Sequence, residues 1–380
     1  MHEAFQTPAP ASRIQCRESI VSNQAQSGDY LTLSRQIKQS GLLDRRYVYY
    51  WAKLGAVPII CAACFLGFIL IGSTWWQMFT AVVFAGVFTQ IAFLGHDAAH
   101  RQIFRSGQWN DWTSLILANL FVGFSYGWWQ HKHTRHHASP NMVGSDPDLA
   151  VPAITFTGPQ IAAARNSLSG WLIAHQGIFF FPVLPFEGLS LHASSVRRLF
   201  LREHLDRRWA EIGFLFVRIV GYLTMVILVL SPDKAAVFLA IQLGLFGVCM
   251  GMSFAPNHKG MPVVPHSLRI DFLRRQVMMS RNIRGNRVLD FAMGGLNYQI
   301  EHHLFPSMAR PNLRKAAPLI AAYCAAHNVP YAQTGLAQSY GIVIRYINRV
   351  GIGASDPFEC PLLEERQTPP MTTTGRVRSG

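Results

Sequence analysis

Four long apolar stretches, arranged in two pairs, limit the fold of this chain more than any other feature. They cover about residues 48–71 and 75–94, and then about residues 209–230 and 235–254. A helix of about 20 apolar residues is long enough to cross a hydrocarbon core of about 30 Å. Short turns join the two members of each pair, one at Gly72 and Ser73 and the other at Ser231-Pro232-Asp233. The sequence therefore predicts an all-α membrane protein with four transmembrane helices in two hairpins.

Composition and charge agree with a membrane location. Half of the residues are hydrophobic and only 14% are charged, which is unusual for a soluble enzyme of this length. The net charge of +14 must therefore lie in tails and membrane-proximal loops, where it can meet anionic lipid, an acidic protein donor or a phosphate-bearing substrate. The six cysteines are scattered, so the sequence indicates no disulfide framework.

Two further apolar stretches, residues 112–129 and 171–191, are long enough to cross the membrane by length alone. A crossing by the first one only would place the histidines that follow it on the opposite side of the membrane from His96. Both stretches also contain residues that are unfavourable in a lipid-exposed crossing, such as Asn119 and Pro182. We therefore predict that both lie along the interface, within a helical cap on one face of the membrane.

The distribution of basic residues predicts the orientation of the chain. The two short turns carry only Lys234, whereas arginines and lysines are abundant on the other side of the predicted spans. By the positive-inside rule, the helical cap and both termini should be cytoplasmic. The predicted domains are a cytoplasmic N-terminal tail (residues 1–45), a membrane domain (residues 46–335) and a cytoplasmic C-terminal tail (residues 336–380), whose composition favours partial disorder.

Three histidine clusters lie next to the predicted spans. They are His96 with His100, His133 with His136 and His137, and Gln299 with His302 and His303. Imidazole supplies a neutral nitrogen ligand to iron, copper or zinc, and spacings of three or four residues place such ligands on one face of a helix. His258 follows Asn257 at the end of the last span, on the same side of the membrane. These eight candidate histidine ligands are enough for two metal ions.

Several neighbouring polar residues have more than one interpretation. Four carboxylates are predicted to orient imidazoles rather than to bind metal, and the alternative for each is an ordinary surface or capping role. They are Asp97, Asp146, Asp148 and Glu301. Gln299 stands where a histidine would complete the third cluster. It could bind a metal through its carbonyl oxygen or hold a metal-bound water.

These clusters resemble the three histidine boxes of the membrane fatty acid desaturase family, which have the form H-x3-H, H-x2-HH and (H or Q)-x2-HH. The similarity covers about residues 45–335 and includes the residues that flank the boxes, such as those in Asn297-Tyr298-Gln299-Ile300-Glu301-His302-His303. The resemblance implies two irons held by the eight histidines. It also implies that Asn257 or Gln299 completes a coordination sphere, directly or through water.

The same resemblance implies an oxidoreductase that uses O2 and two electrons to insert a cis double bond into a fatty acyl chain, supplied as acyl-CoA or acyl-lipid. A glutamine at the start of the third box is similar to front-end desaturases, but it also occurs in desaturases of other regiochemistry. The sequence has no His-Pro-Gly-Gly heme motif, so we expect a separate electron donor, a ferredoxin or a flavoprotein reductase. No nucleic acid partner is expected.

Two other functions stay open at this point. Membrane di-iron hydroxylases and carotenoid ketolases share these histidine patterns and differ in whether oxygen is added to the carbon. The second is a metal transporter, which is not an enzyme. Transport would require polar ligands near the middle of membrane helices, whereas these clusters lie at the ends of the spans or outside them.

Overall fold

The computed structural model describes residues 27–149, 168–201, 205–266 and 268–351. In chain order, its α-helices are α1 (Ser27–Gln39), α2 (Tyr47–Ile71), α3 (Gln77–Ala99), α4 (Gly107–Leu115), α5 (Tyr126–Ala138), α6 (Leu168–Ala174), α7 (Gln176–Phe200), α8 (Arg208–Val229), α9 (Pro232–His258), α10 (Phe272–Met278), α11 (Arg287–Ala292), α12 (Gln299–Leu304), α13 (Arg310–Ala326) and α14 (Leu336–Gly351). A π-helix (Ile116–Val122) lies between α4 and α5, and a 3-10 turn covers Pro147–Leu149. The predicted all-α fold is confirmed.

Two short strands add a minor element to this helical fold. The strands β1 (Asn282–Arg284) and β2 (Gln333–Gly335) pair in parallel, with Ile283 opposite Thr334. The pair ties the segment before α11 to the segment before α14.

Four of the described helices are long and apolar enough to cross a membrane, namely α2, α3, α8 and α9. This confirms the four predicted spans and their arrangement as two hairpins. Two of the helices continue beyond the predicted bounds, because α3 ends at Ala99 and α9 ends at His258. His96 and His258 therefore lie in the last turns of membrane helices.

The turns at the other end of the hairpins hold the two hairpins together. Gly72 ends α2 with a φ of 62°, a conformation that glycine adopts without steric cost. The side chain of Gln77 donates hydrogen bonds to the carbonyls of Phe68 and Gly72. In addition, the backbone N–H of Ser231 donates to Oγ of Ser73 over 3.0 Å, which links the two turns.

The helix α7 packs closely along the membrane helix α9. A Cβ atom added at Gly188 would lie 2.5 Å from the carbonyl oxygen of Leu243, and one at Gly247 would lie 2.5 Å from the backbone nitrogen of Gly188. The two backbones can approach this closely because neither glycine carries a side chain. The predicted interfacial stretch 171–191 thus belongs to a helical segment that packs on a membrane helix, and α7 is not among the four candidate spans.

The packed part of the protein includes segments from both predicted tails. On α1, Leu33 and Ile37 are buried in a cluster with Leu273 and Ile320. On α14, Val343 and Ile347 pack against Phe180 and Leu184 of α7. Residues 1–26 and 352–380, the remaining parts of those tails, lie outside the described residues.

Candidate metal centre

The histidine clusters predicted from the sequence meet at one end of the four membrane helices. The helix α3 carries His96, and His100 follows its last residue. The other ligand candidates come from α5, the end of α9, and α12. Because α3 and α9 are the returning helices of the two hairpins, their C-terminal ends lie on the same side of the membrane, where α5 and α12 cover them.

Four of the histidines form one group, the four-histidine cluster, which consists of His96, His100, His133 and His302. One ring nitrogen from each lies within 4.8 Å of the others. The Nε2 atoms of His133 and His100 are 2.8 Å apart, and the Nε2 atom of His137 is 3.0 Å from that of His133. The Nε2 atoms of His96 and His302 are buried and have no hydrogen-bond partner among the described residues.

A second group, the three-histidine cluster, consists of His136, His258 and His303, again with nitrogens within 4.8 Å of one another. In each ring Nδ1 faces an oxygen, and the distances are 3.0 Å to Oδ1 of Asp146, 2.9 Å to the carbonyl of Met279 and 2.9 Å to Oε1 of Gln276. A carbonyl or carboxylate oxygen only accepts, so these Nδ1 atoms carry the hydrogen. In the neutral ring, Nε2 is then the nitrogen whose lone pair could bind a metal.

His137 lies between the two clusters. Its ring stacks on that of His303 with centroids 4.2 Å apart, and its Nε2 faces His133 of the four-histidine cluster. The structure thus brings all eight predicted histidines together in one continuous site. The unpaired nitrogens and the short nitrogen–nitrogen distances fit metal ions held by neutral imidazoles, because two facing lone pairs need a shared cation or a single shared hydrogen.

Gln299 and Asn257 both border the three-histidine cluster. Nε2 of Gln299 is 2.9 Å from Nε2 of His258, and Oε1 of Gln299 accepts a hydrogen bond from Nδ2 of Asn257 over 3.3 Å. In this arrangement the amide nitrogen of Gln299 faces the cluster, and a rotation of the amide would present its oxygen. Oδ1 of Asn257 is buried without a partner among the described residues.

Burial controls the protonation of the site. It lowers the pKa of His100, His133, His137, His302 and His303 well below the usual value, and the neighbouring imidazoles lower it further. These rings are therefore neutral at physiological pH, as metal ligands must be. Burial also lowers the pKa of His136, but the carboxylates of Asp146 and Asp148 outweigh it and raise that pKa above its usual value.

Three of the four predicted carboxylates lie beside an imidazole. Asp146 and Asp148 lie 3.0 and 3.3 Å from Nδ1 of His136. Asp97 lies 3.8 Å from Nδ1 of His96 and forms a 2.6 Å ion pair with Arg310. The pair with Arg310 joins the end of α3 to the start of α13.

Glu301 was predicted to orient an imidazole, and its contacts in the structure are different. Its carboxylate accepts hydrogen bonds from Asn282 and Tyr331, and the contacts described for it include no imidazole. Successive residues of a helix point about 100° apart, so Glu301 turns away from the site when His302 faces it. Burial raises the pKa of Glu301 to about 7.

Gln276 is a site residue that the sequence did not reveal. It is fully buried on α10, where Oε1 accepts from Nδ1 of His303 and Nε2 donates to the carbonyl of His137 over 3.0 Å. One amide therefore joins the second and third histidine clusters. No spacing or composition pattern marks this position, because both partners are distant in sequence.

Glu211 is another residue whose role the sequence did not show. This buried carboxylate, in the first turn of α8, accepts hydrogen bonds from the Ser125 hydroxyl, the Asn119 amide and the Gly127 backbone N–H. It thus caps the N-terminus of α5, the helix that carries His133, where a negative charge is favourable. The sequence signal that could have indicated a role for Glu211 is a charged residue at the start of a predicted span.

An apolar cavity adjoins the histidines, and a second apolar cavity lies next to it. The first, the histidine cavity, has a volume of about 40 Å³ and is lined by His96, Trp129 and Phe124 among others. The second, the Arg218 cavity, has a volume of about 230 Å³, is lined by Arg218 of α8 among others, and lies among α3, α7, α8, α9 and the end of the π-helix. Val122 lines both cavities, so they are neighbouring compartments.

Comparisons with known proteins place these observations in a family context. A sequence profile described as fatty acid desaturase matches residues 73–335. An acyl-lipid (9-3)-desaturase of Physcomitrium patens is 31% identical over 285 residues, which are 73% of this chain and 54% of that protein. An acyl-lipid (9-3)-desaturase of Borago officinalis is 25% identical over 342 residues, or 87% of this chain and 76% of that protein. A Delta(6)-fatty-acid desaturase of Caenorhabditis elegans is 26% identical over 346 residues, with 87% and 77% covered. The chain thus spans about half of the first relative and about three quarters of the other two.

Proposed function

This chain belongs to the fatty acid desaturase family, and we propose that it uses O2 and two electrons to insert a cis double bond into a fatty acyl chain. The observation that carries the proposal is the pair of buried histidine clusters, which meet at the end of membrane helices and adjoin an apolar cavity. An apolar substrate can reach such a site without exposing the metal ligands to water.

We propose that the four-histidine cluster holds one iron and that the three-histidine cluster holds the other, with His137 between them. The histidines would hold the irons, and the irons would supply the activation of O2 that an unactivated methylene C–H bond requires. Gln299 and Asn257 are proposed to complete the second site, directly or through a water. The support is the set of neutral, buried nitrogens that lack a partner among the described residues.

The protein's own residues would orient the ligands and exclude water. Asp146, the Met279 carbonyl and Gln276 fix the three rings of the three-histidine cluster through Nδ1, so that Nε2 of each ring points inward. Asp97 and Arg310 hold the end of α3. Burial of this network favours the neutral form of the five histidines whose pKa it lowers, and it keeps the site dry.

The acyl chain would lie in the histidine cavity and continue past Val122 into the Arg218 cavity. Trp129 and Phe124 line the first cavity beside His96, and Phe246 and Leu243 line the second. Selection of one carbon pair then depends on how far the chain can enter, because a rigid apolar wall fixes the position of each methylene.

We propose front-end regiochemistry, in which the new double bond forms between an existing one and the carboxyl end. The support is the glutamine at position 299 together with the names of the relatives, which include Delta(6), Delta(8) and (9-3) desaturases. A cytoplasmic cap, cytoplasmic termini and a separate ferredoxin or flavoprotein reductase as electron donor remain predictions.

The test is expression in a host with a suitable reductase, followed by gas chromatography and mass spectrometry of the lipids with chemical location of the double bonds. We expect a new cis-unsaturated fatty acid, and none from a His136→Ala variant. We also expect close to two irons per chain in the purified protein. A hydroxylated product, or protein that holds one zinc and turns over without iron, would contradict the proposal.

A further inference from the structure

A large cavity lies between the membrane helices α2 and α3, and we call it the α2–α3 cavity. Its volume is about 550 Å³, within the range of small-molecule and lipid sites. Aliphatic side chains such as Val57, Ile60 and Val83 form most of its wall. Val288 and Phe291 of α11 also line it.

The length of this cavity fits one leaflet of a bilayer. On α3 the lining residues run from Val82 to Leu94, a stretch of thirteen residues that rises about 18 Å along the helix. Half of the hydrocarbon core is about 15 Å thick. The cavity therefore extends from the histidine side of the membrane to about its middle, as a single acyl chain of a lipid does.

The α2–α3 cavity is separate from the proposed acyl path. None of the eight candidate histidine ligands lines it, and among the described residues it shares no lining residue with the histidine cavity. On α3, Gln90, Ile91 and Leu94 face the α2–α3 cavity, whereas Gly95 and His96 face the histidine cavity. The helix α3 thus forms a wall between the two.

Two polar groups mark the end of the cavity near α11. The Lys53 ammonium lies 5.7 Å from the centre of the Phe291 ring and 5.2 Å from that of Tyr49. The contacts described for Lys53 include no ion pair with a carboxylate. Gln90 donates its amide hydrogen to the carbonyl of Phe291 over 3.0 Å, which leaves Oε1 buried without a partner among the described residues. A ligand here would need an anionic oxygen for Lys53 and a hydrogen-bond donor for Gln90.

The surface around this polar end suits a membrane interface. Val288 and Phe291 are 73% and 58% exposed, and the exposed Arg287 precedes them on the same short helix. Exposed apolar residues beside arginine and lysine are typical of segments that lie among anionic lipid headgroups.

We propose that the α2–α3 cavity binds an anionic glycerophospholipid that is not the substrate. One acyl chain occupies the apolar slot, the phosphate pairs with Lys53, and a headgroup hydroxyl donates to Oε1 of Gln90. Phosphatidylglycerol has this combination of groups, whereas phosphatidylcholine has no headgroup donor and no net charge.

The test uses the full-length protein in neutral-detergent micelles, with phosphatidylglycerol and phosphatidylcholine as probes. Lys53→Gln removes the charge, and Gly86→Leu fills the slot. Gly86 lines the cavity, and a Cβ atom there would meet no atom within 4 Å, so the new side chain enters open space. The matched controls are Lys315→Gln, at an exposed lysine on α13, and Gly67→Leu, at a glycine of α2 that is equally open and does not line the cavity.

We expect wild-type protein to bind phosphatidylglycerol more tightly than phosphatidylcholine, by native mass spectrometry and by the lipid-dependent rise in melting temperature. Lys53→Gln should weaken phosphatidylglycerol binding about fivefold, which corresponds to about 1 kcal/mol for one lysine near the membrane surface. Gly86→Leu should abolish the bound lipid, and both controls should bind as wild type does.

Three results would overturn the inference. Equal affinity for both lipids would remove the headgroup assignment, and unchanged phosphatidylglycerol binding in Gly86→Leu would remove the cavity assignment. A higher apparent KM for acyl substrate in Gly86→Leu, with lipid binding intact, would make the cavity part of the substrate path. The lipid binding measurements do not depend on turnover, so a failure of the proposed desaturase activity would be seen separately.

Discussion

Gln276 offers a direct test of whether the histidine network positions a metal. Its single amide accepts from Nδ1 of His303 and donates to the carbonyl of His137, at 2.9 and 3.0 Å. Gln276→Leu keeps a similar volume and removes both hydrogen bonds. His303 would then be free to rotate, and the backbone at His137 would lose the partner that holds α10 against α5.

The size of the effect follows from these two contacts. Leaving a buried polar group unpaired costs about 1–3 kcal/mol, so two such groups set a ceiling of roughly 6 kcal/mol on the loss of stability. For metal affinity or turnover, loss of a residue that orients a ligand histidine typically costs about 10–100-fold. We expect Gln276→Leu to lose activity and iron affinity within that range, and Gln276→Glu to lose less, since it retains an acceptor for His303.

The assay measures iron per chain by elemental analysis after dialysis against increasing chelator, together with turnover of the reloaded enzyme. Gln77→Leu is the matched control. Gln77 is also fully buried and also makes two hydrogen bonds through its amide, both donated to backbone carbonyls, but it lies 19 residues from His96 at the other end of α3, about 28 Å away. This control should melt at a lower temperature and keep its iron. Full iron affinity and turnover in Gln276→Leu would refute the reasoning.

Three further predictions address the rest of the site and the membrane arrangement. Gln299→Ala should lose most activity with little loss of fold, because Nε2 of Gln299 lies 2.9 Å from Nε2 of His258. Gln299→His should keep iron and alter rate or regioselectivity. Near-native turnover and iron content in the alanine variant would remove Gln299 from the site. Glu211→Gln should lower the free energy of unfolding by about 1–2 kcal/mol, since a neutral amide is a poorer acceptor at the N-terminus of α5, and an unchanged chemical denaturation curve would contradict this. Reporter fusions after residues 72 and 232 should lie outside the cell, and fusions after residues 105, 200 and 310 should lie in the cytoplasm. An external signal at residue 105 would contradict the predicted orientation.

The spans and the histidine ligand candidates could be predicted because both depend on local patterns. An apolar stretch of about 20 residues identifies a membrane helix without knowledge of its neighbours. Histidines three or four residues apart face the same side wherever the helix lies. The predicted bounds were short at the ends of α3 and α9, where polar residues interrupt the apolar pattern. Asp97 is tolerated there because Arg310 pairs with it, and His258 because Met279 accepts its hydrogen.

The helices at both ends of the described chain show where composition is insufficient. The sequence of α1 is polar overall, and from Gly28 to Gln39 only Leu33 and Ile37 are fully buried. Two apolar residues at helical spacing are too few to distinguish a packed helix from a tail. The packing partners, Leu273 and Ile320 among them, come from segments more than 230 residues away, so no local pattern contains the information.

Contacts between residues distant in sequence also connect the membrane helix α8 to the metal site. Glu211 and Arg218 are seven residues apart on α8 and therefore share a face. Glu211 caps the start of α5, and Nε of Arg218 donates to the carbonyl of Phe121 at the end of the π-helix, over 2.8 Å. Each charge matches the end of the helix that it contacts, negative at an N-terminus and positive at a C-terminus. The linker between these contacts contains Val122, which lines both cavities of the proposed acyl path, and it leads directly into the helix of His133. An ionisable residue in a membrane span indicates a function by itself, but its role here follows from partners about 90 residues away in the chain.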